Sequence, residues 1–487
     1  MSKRILGYID GVFADSERQF DDISPVDGHL VAQVARASVG QIDAAVQAAR
    51  RALPAWRSLS VLERAAWLHK LADRMAEREA EFVAAEIADT GKSLAQVQAI
   101  DIPRGTANFR FFADLIKNVP SEAWHSQSAD GDAILNYTVD KPLGVVAVIA
   151  PWNLPLLLAT WKIAPALACG NTLVVKPSEE TPGSMALLAQ CLDEIDFPKG
   201  VFNLLHGFGP DCVGQWLTEH DGVDAVTFTG ESRTGSAIMR AVADRVKPVS
   251  FELGGKNAAV VFADADLDKA IAGVARSSFT NCGQVCLCTE RVYVHRSLFD
   301  RFVAGLAEAA NGYVVGRPYD QGTVMGPLIS RGHRDKVMGY FELARQGGAE
   351  FVTGGTVPQF NDERDAGAFV LPTVLTGLAD DHRFNREEIF GPVCHIAPFD
   401  EEAEVIDRIN DSDYGLAASV WTQDLNRAHR VAPQIEAGLV WINTWYLRDL
   451  NTPFGGVKLS GIGREGGIHS LNFYREPSTV CIAMAQG

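Results

Sequence analysis

The stretch Val145–Glu179, VVAVIAPWNLPLLLATWKIAPALACGNTLVVKPSE, decides the fold class of this chain. Val145–Ala150 is a continuous run of β-branched and small apolar residues, the mark of a strand buried on both faces. Leu154–Ala168 has the length and apolar texture of a helix, and Thr172–Lys176 (TLVVK) returns to a strand. The same alternation continues through Thr181–Glu194, where Pro182 suits a first turn, and through Phe202–Leu205, Asp211–Glu219, Ala225–Phe228, Ser232–Ala243 and Pro248–Leu253. Strands alternating with helices predict a parallel sheet covered by helices. Such sheets bind ligands at the carboxyl ends of their strands.

Upstream, Tyr8–Val34 reads as short strands with turns at Asp10-Gly11 and Pro25–Gly28. Helical patterns follow at Gln41–Leu53, Val61–Thr90 and Ile100–Lys117. Downstream, a second α/β stretch spans roughly Asp266–Trp441. The segments Ala133–Val139 (AILNYTV) and Pro477–Ala483 (PSTVCIA) are strands outside the main alternation and are expected to pair into an arm.

At 487 residues and 47% hydrophobic content the chain can form two or three domains with substantial cores. Its net charge of −17 argues against nucleic acid or an anionic membrane as partner. The start, MSKRILGYIDG, carries no apolar signal segment, and no apolar run reaches the ~20 residues of a membrane helix. Eight scattered Cys in so large a chain fit a reducing cytoplasm better than a disulfide scaffold.

Chemistry concentrates at few places. Phe279–Arg291, FTNCGQVCLCTER, sets Cys282, Cys286 and Cys288 on a Gly-containing turn between a helix and a strand. A thiol there can be presented to a cleft as a nucleophile, although an isolated Cys is ordinarily a small buried hydrophobe. Cys169, Cys191, Cys212, Cys394 and Cys481 sit in apolar patterns and take that ordinary reading. No paired C-x-x-C or neighbouring His completes a zinc site, so no metal is implied.

Glu252 ends a strand before Gly254-Gly255, where a carboxylate can face a cleft as a general base; by spacing alone a surface turn residue is the stronger reading. Asn153, in the turn PWNLP, could donate to an oxyanion or simply shape the turn. Lys176 and Glu179 stand where a ribose could be held, or where a loop is merely charged. Two glycine patterns compete for a phosphate role. Gly461–Gly466 (GIGREG) matches G-x-G-x-x-G but lacks the preceding strand and βαβ unit, whereas Thr229–Gly235 (TGESRTG) follows a strand and opens a helix.

Taken together, FTNCGQVC, FELGGKNAAVVF, PWNLP, VVKPSE, FTGESRTG, EEIFGPV and NTPFGGVKLSGIGRE span nearly the whole chain, and the sequence resembles the aldehyde dehydrogenase superfamily. The resemblance implies an α/β fold with a Rossmann-like NAD-binding domain (1–119 and 142–251), an α/β catalytic domain (252–455) and a small β oligomerisation arm (120–141 and 468–487). It implies a homodimer or homotetramer.

By the same resemblance Cys286 is the nucleophile, Glu252 the base, and Asn153 with the Cys286 N–H the oxyanion site. Lys176 and Glu179 hold the adenosine ribose, Gly230 and Trp152 belong to the cofactor site, and Glu388 with Phe390 places the nicotinamide ribose. Glu179 implies NAD over NADP by repelling a 2′-phosphate. Glu231 stands where many members carry Ser and must turn outward or meet Arg233.

A narrower resemblance rests on DIPRGTANFRFFADLI, RTGSAIM, TNCGQVCLCTER and NTWYLRDLN. These match a branch that oxidises muconic semialdehydes formed in aromatic ring breakdown. It implies 2-hydroxymuconate 6-semialdehyde as substrate and 2-hydroxymuconate (4-oxalocrotonate) as product, with 2-aminomuconate 6-semialdehyde the alternative. Arg104 and Arg448 would clamp the remote carboxylate of such a substrate. A broad-specificity or betaine aldehyde dehydrogenase, or a catalytically silent NAD-binding structural member, would carry many of the same motifs.

Overall fold

The structure is a computed structural model describing residues 3–484. The first two residues of the expected NAD-binding segment and the last three of the expected arm lie outside the described residues.

Two large sheets carry the molecule. The first has eight strands, in the order Gly461–Ile462, Val249–Glu252, Ala225–Thr229, Val145–Ile149, Thr172–Lys176, Phe202–Leu204, Gly7–Ile9, Val12–Ala14. Its five central strands are parallel, and numbered along the chain they run 5-4-1-2-3. This is the doubly wound order, with the reversal between Val145–Ile149 and Ala225–Thr229. All five residues of each of these strands are buried, as the absence of polar alternation requires.

The helices Pro155–Ala168 and Gly183–Glu194 follow their strands after short loops. Pro155 and Pro182 sit at these helix starts, where a missing N–H costs nothing. The helices Val39–Ser58, Val61–Glu77 and Ile102–Leu115 also bury apolar faces in the two cores of this half.

The second sheet has seven strands, ordered Glu350–Thr353, Thr373–Thr376, Val393–Phe399, Thr289–His295, Asn257–Val261, Ala417–Trp421, Leu439–Ile442. All pairs are parallel except the one made by the outer strand Glu350–Thr353. Arg475–Ala483 pairs antiparallel with Ala133–Pro142, joining two strands far apart in sequence as expected. Ala123–Gln127 adds a third strand to that sheet.

Three local readings change. The single helix expected over Val61–Thr90 is two, broken at Arg78, which leaves helical geometry (ψ 18°) and pairs with Glu81 and Glu194. The second alternating stretch begins earlier than Asp266, because Asn257–Val261 lies in the middle of its sheet. Cys481, expected to be packed away, is exposed on the arm strand, since both faces of this outlying sheet are open.

Candidate active site

The segment Phe279–Arg291 is held by its backbone. The helix Leu267–Phe279 ends at Thr280, and Asn281 and Cys282 take the left-handed conformation (φ 53° and 56°). Gly283 follows at φ 71°, and a Cβ there would meet the Gly391 carbonyl oxygen at 1.9 Å, so no other residue fits.

Polar side chains then fix the carbonyls. Asn257 Nδ2 donates to Cys286 O (2.7 Å) and Cys288 O (2.8 Å), while its Oδ1 accepts from Ala417 N (2.9 Å). Gln284 O accepts from Asn153 Nδ2 (3.0 Å) and Asn281 Nδ2 (3.2 Å). Gln284 Oε1 accepts from Ile329 N (2.8 Å). With these carbonyls engaged, the Cys286 N–H donates to no carbonyl among the described residues and favours its own sulfur as thiolate. Cys286 is half-buried; Cys282 and Cys288 are buried and pack among apolar neighbours.

The thiol of Cys286 is pushed up to about 12, first by burial, then by the carboxylates of Glu252 and Glu388, with Arg448 opposing. It therefore rests as a neutral thiol and needs a base or an approaching positive charge.

Glu252 closes the strand Val249–Glu252, and both carboxylate oxygens are buried without a hydrogen-bond partner among the described residues. Burial and the nearby Glu465 hold its carboxyl well above the ordinary range, against Lys162, Arg448 and Arg464. A Cβ on Gly455 would come within 2.8 Å of Glu252 Oε1, so that glycine leaves the carboxylate its room.

Glu465 makes a fully buried ion pair with Lys162. Sequence reasoning missed both residues. The available signal was Lys162 as the one charge in the apolar helix Pro155–Ala168. Glu465 belongs to GIGREG, rejected above as a phosphate loop. That segment instead places Gly461–Ile462 beside Phe251 and Glu252 as the sheet edge.

Asn153 and Trp152 follow the first central strand, Gly230 the fourth, and Lys176 the second. They gather at the carboxyl ends of strands around the topological reversal. Lys176 Nζ donates to Pro177 O (2.9 Å) and Glu179 Oε2 (3.2 Å). A Cβ on Gly230 would strike the Phe228 ring at 2.4 Å. Glu231, at the start of the helix Ser232–Ala243, does not cap it and pairs outward with exposed Arg233 at 3.2 Å.

On the opposite wall, Glu388 Oε1 accepts from Gly255 N (2.8 Å), and burial with the Glu290 charge raises its carboxyl to about 7. Phe390 adopts φ 60°. Its N–H donates to Glu290 Oε1 (2.9 Å), its carbonyl contacts His333 Nε2 (2.7 Å), and its ring meets the Trp152 ring edge-on at 5.4 Å.

Arg104 and Arg448 converge. Both guanidinium groups lie over the Trp161 ring, at 5.2 and 5.5 Å, and Arg448 also stacks on Phe454 at 3.9 Å. Among the described residues neither has an acidic partner. Arg104 donates only to Asn108 Oδ1 (3.2 Å), and Arg448 Nε and Nη2 are buried with no partner. Burial and the neighbouring Arg448 charge lower Arg104 to about 10; burial also lowers Arg448, against Tyr446, Glu252 and Cys286. Two like charges are thus held together with no salt-bridge partner among the described residues.

The sequence profile of the aldehyde dehydrogenase family matches residues 12–480. The chain is 57% identical over 481 residues to a 2-aminomuconic 6-semialdehyde dehydrogenase of Pseudomonas sp., covering 99% of this chain and 98% of the relative. It is 56% identical over 485 residues to a 2-hydroxymuconic semialdehyde dehydrogenase of Pseudomonas sp. (strain CF600), covering 99% and 100%. The NAD+ complex of an aldehyde dehydrogenase from Bacillus cereus superposes with a TM-score of 0.95 at 39% identity, covering 99% of this chain and 97% of that one. The chain belongs to the aldehyde dehydrogenase family.

Proposed function

We propose that the protein oxidises an aldehyde bearing a remote carboxylate to the corresponding acid with NAD as acceptor, and that its substrate is 2-hydroxymuconate 6-semialdehyde. The observation that carries this is the pair Arg104 and Arg448, unpaired and facing the same site as Cys286 and Glu252. A relative with the amino substrate in its name is as similar as one with the hydroxy substrate in its name, so 2-aminomuconate 6-semialdehyde is the second reading.

The residues fit NAD. Gly230 stands ahead of a twelve-residue helix whose N-terminus no side chain caps, so its first backbone N–H groups can meet a pyrophosphate. Lys176 and Glu179 supply a cation and a carboxylate for ribose hydroxyls, and Glu388 beside Phe390 and Trp152 forms a second ribose clamp. When bound, the cofactor takes the hydride released from the aldehyde carbon.

The chain's own residues do the rest. Glu252 accepts the Cys286 proton, and the thiolate adds to the aldehyde carbon. Asn153 Nδ2, held by one hydrogen to Gln284 O, offers the other with the Cys286 N–H to the oxyanion. Glu252 passes that proton to solvent, and after hydride loss it deprotonates the water that hydrolyses the thioester, releasing the acid and returning Cys286 as thiol. The arginines hold the far carboxylate, so the reacting carbon is presented in one orientation.

We assign residues 1–119 with 142–251 to the cofactor unit, 252–455 to the catalytic unit, and 120–141 with 468–487 to the arm. The apolar Trp124, Val139 and Ile482 exposed on the arm sheet support a homodimer or homotetramer. Eight free cysteines support a cytoplasmic location. No helix among the described residues is long and apolar enough to cross a membrane.

The reading is tested by following NADH formation with the two muconic semialdehydes, benzaldehyde, hexanal and betaine aldehyde. A kcat/KM for the muconic substrates well above the rest is expected. Comparable values for hexanal would refute a carboxylate-directed site.

A further inference from the structure

Tyr446 occupies the loop that carries Arg448, and four observations single it out. It adopts φ 61°, a conformation that a bulky ring resists and that persists only where surroundings impose it. Its hydroxyl forms no hydrogen bond with any described residue, although its ring stacks on Trp445 with centroids 5.1 Å apart. It lines a cavity of about 300 Å³ together with Leu154, Val285, Asp101 and Trp445. Cys286 and Tyr446 pack against the same apolar cluster, which includes Val285, Trp445 and Phe454, the last of these the ring under Arg448.

We propose that Tyr446 is a specificity residue that reads the polar substituent on the carbon next to the substrate carboxylate, its phenol hydrogen-bonding a hydroxyl or amino group there. This rests on the clamp assigned to Arg104 and Arg448. A carboxylate held by those two side chains puts its adjacent carbon beside them. Tyr446 stands two positions from Arg448 and packs with Cys286 against one apolar cluster, and its phenol feels the charges of Arg448, Asp101, Cys286 and Arg104.

Burial raises the phenol's pKa, so it stays neutral and can both donate and accept. A hydroxyl substituent can accept from it, and an amino substituent can donate to it. A partnerless phenol gains on binding a substituted substrate and gains nothing from an unsubstituted one. Such a site discriminates because the substrate's own polar substituent, desolvated on binding, is costly without a partner.

The test compares Tyr446→Phe with wild type on 2-hydroxymuconate 6-semialdehyde, its 2-amino counterpart and the same chain without the substituent. The variant should lose about tenfold in kcat/KM, through KM, on the substituted aldehydes and stay within about twofold on the unsubstituted one. Inhibition by 2-hydroxyadipate should weaken while inhibition by adipate is unchanged, a readout independent of turnover. Loss on only one substituted aldehyde would identify which group the phenol reads. Equal losses on all three, or no loss on any, overturns the proposal. Wild-type indifference to the carboxylate itself overturns the clamp reading and this one with it, and needs no variant to detect.

Discussion

Replacing Arg448 by Met should move affinity and stability in opposite directions. Met keeps the unbranched stem that packs on Phe454 and removes the guanidinium. Hydrogen bonds to charged groups contribute about 1.5–3 kcal/mol each, and a bidentate arginine makes two. Arg104 remains and can hold one carboxylate oxygen, so the loss should be about 2–4 kcal/mol, or roughly 30- to 1,000-fold in kcat/KM for the acidic aldehyde. Hexanal should be unaffected within about threefold.

In the free protein the same change removes two buried donors without partners, Nε and Nη2, each costing about 1–3 kcal/mol. It forfeits cation–π contacts with Phe454 and Trp161, worth about 0.5–2 kcal/mol each. The balance favours the variant by about 1–2 kcal/mol. Thermal unfolding read with and without muconate, a stable dicarboxylate, follows both effects. The ligand-free midpoint should equal or exceed wild type, and muconate should raise the midpoint of wild type much more than that of the variant. A destabilised variant, or equal catalytic losses on acidic and neutral aldehydes, would refute the reasoning by showing Arg448 to be a structural cation.

Glu252→Gln should slow both the NADH burst on mixing and the steady-state turnover, since thiol activation and hydrolysis lose the same base; normal steady-state turnover would remove Glu252 from that role. The acid limb of the wild-type rate should lie above the ordinary carboxylate range, because Glu252 is raised and must be ionised to work. Glu465→Gln deletes a like charge and should shift that limb to lower pH, and Lys162→Met should shift it to higher pH; an unmoved limb would uncouple the pair from catalysis. Glu179→Ser should raise the NADP-to-NAD ratio of kcat/KM on the order of tenfold, by removing a carboxylate that repels a 2′-phosphate; an unchanged ratio would place the selectivity elsewhere.

The sequence by itself determined the doubly wound sheet. Continuous apolar runs such as Val145–Ile149 can only be satisfied by burial on both faces, and the intervening helical periods leave parallel crossovers as the connection. It also determined where chemistry could be presented, since Asn153, Lys176, Gly230 and Glu252 each follow or end a strand. The pairing of Ala133–Pro142 with Arg475–Ala483 was legible because both runs stand outside the alternation.

What only the tertiary structure decided is which charges are left alone. From sequence, Arg104 and Arg448 were favoured as a clamp only by resemblance, since nothing in the local pattern excludes surface salt bridges. Their convergence over Trp161, with no salt-bridge partner among the described residues, depends on three segments meeting. Lys162 and Glu465 find each other across 303 positions, a pairing that no local pattern encodes. Burial raises Glu252, Glu388 and the Cys286 thiol together. Desolvation is a property of the assembled cleft, set by what surrounds a group in space, and neighbours along the chain do not report it.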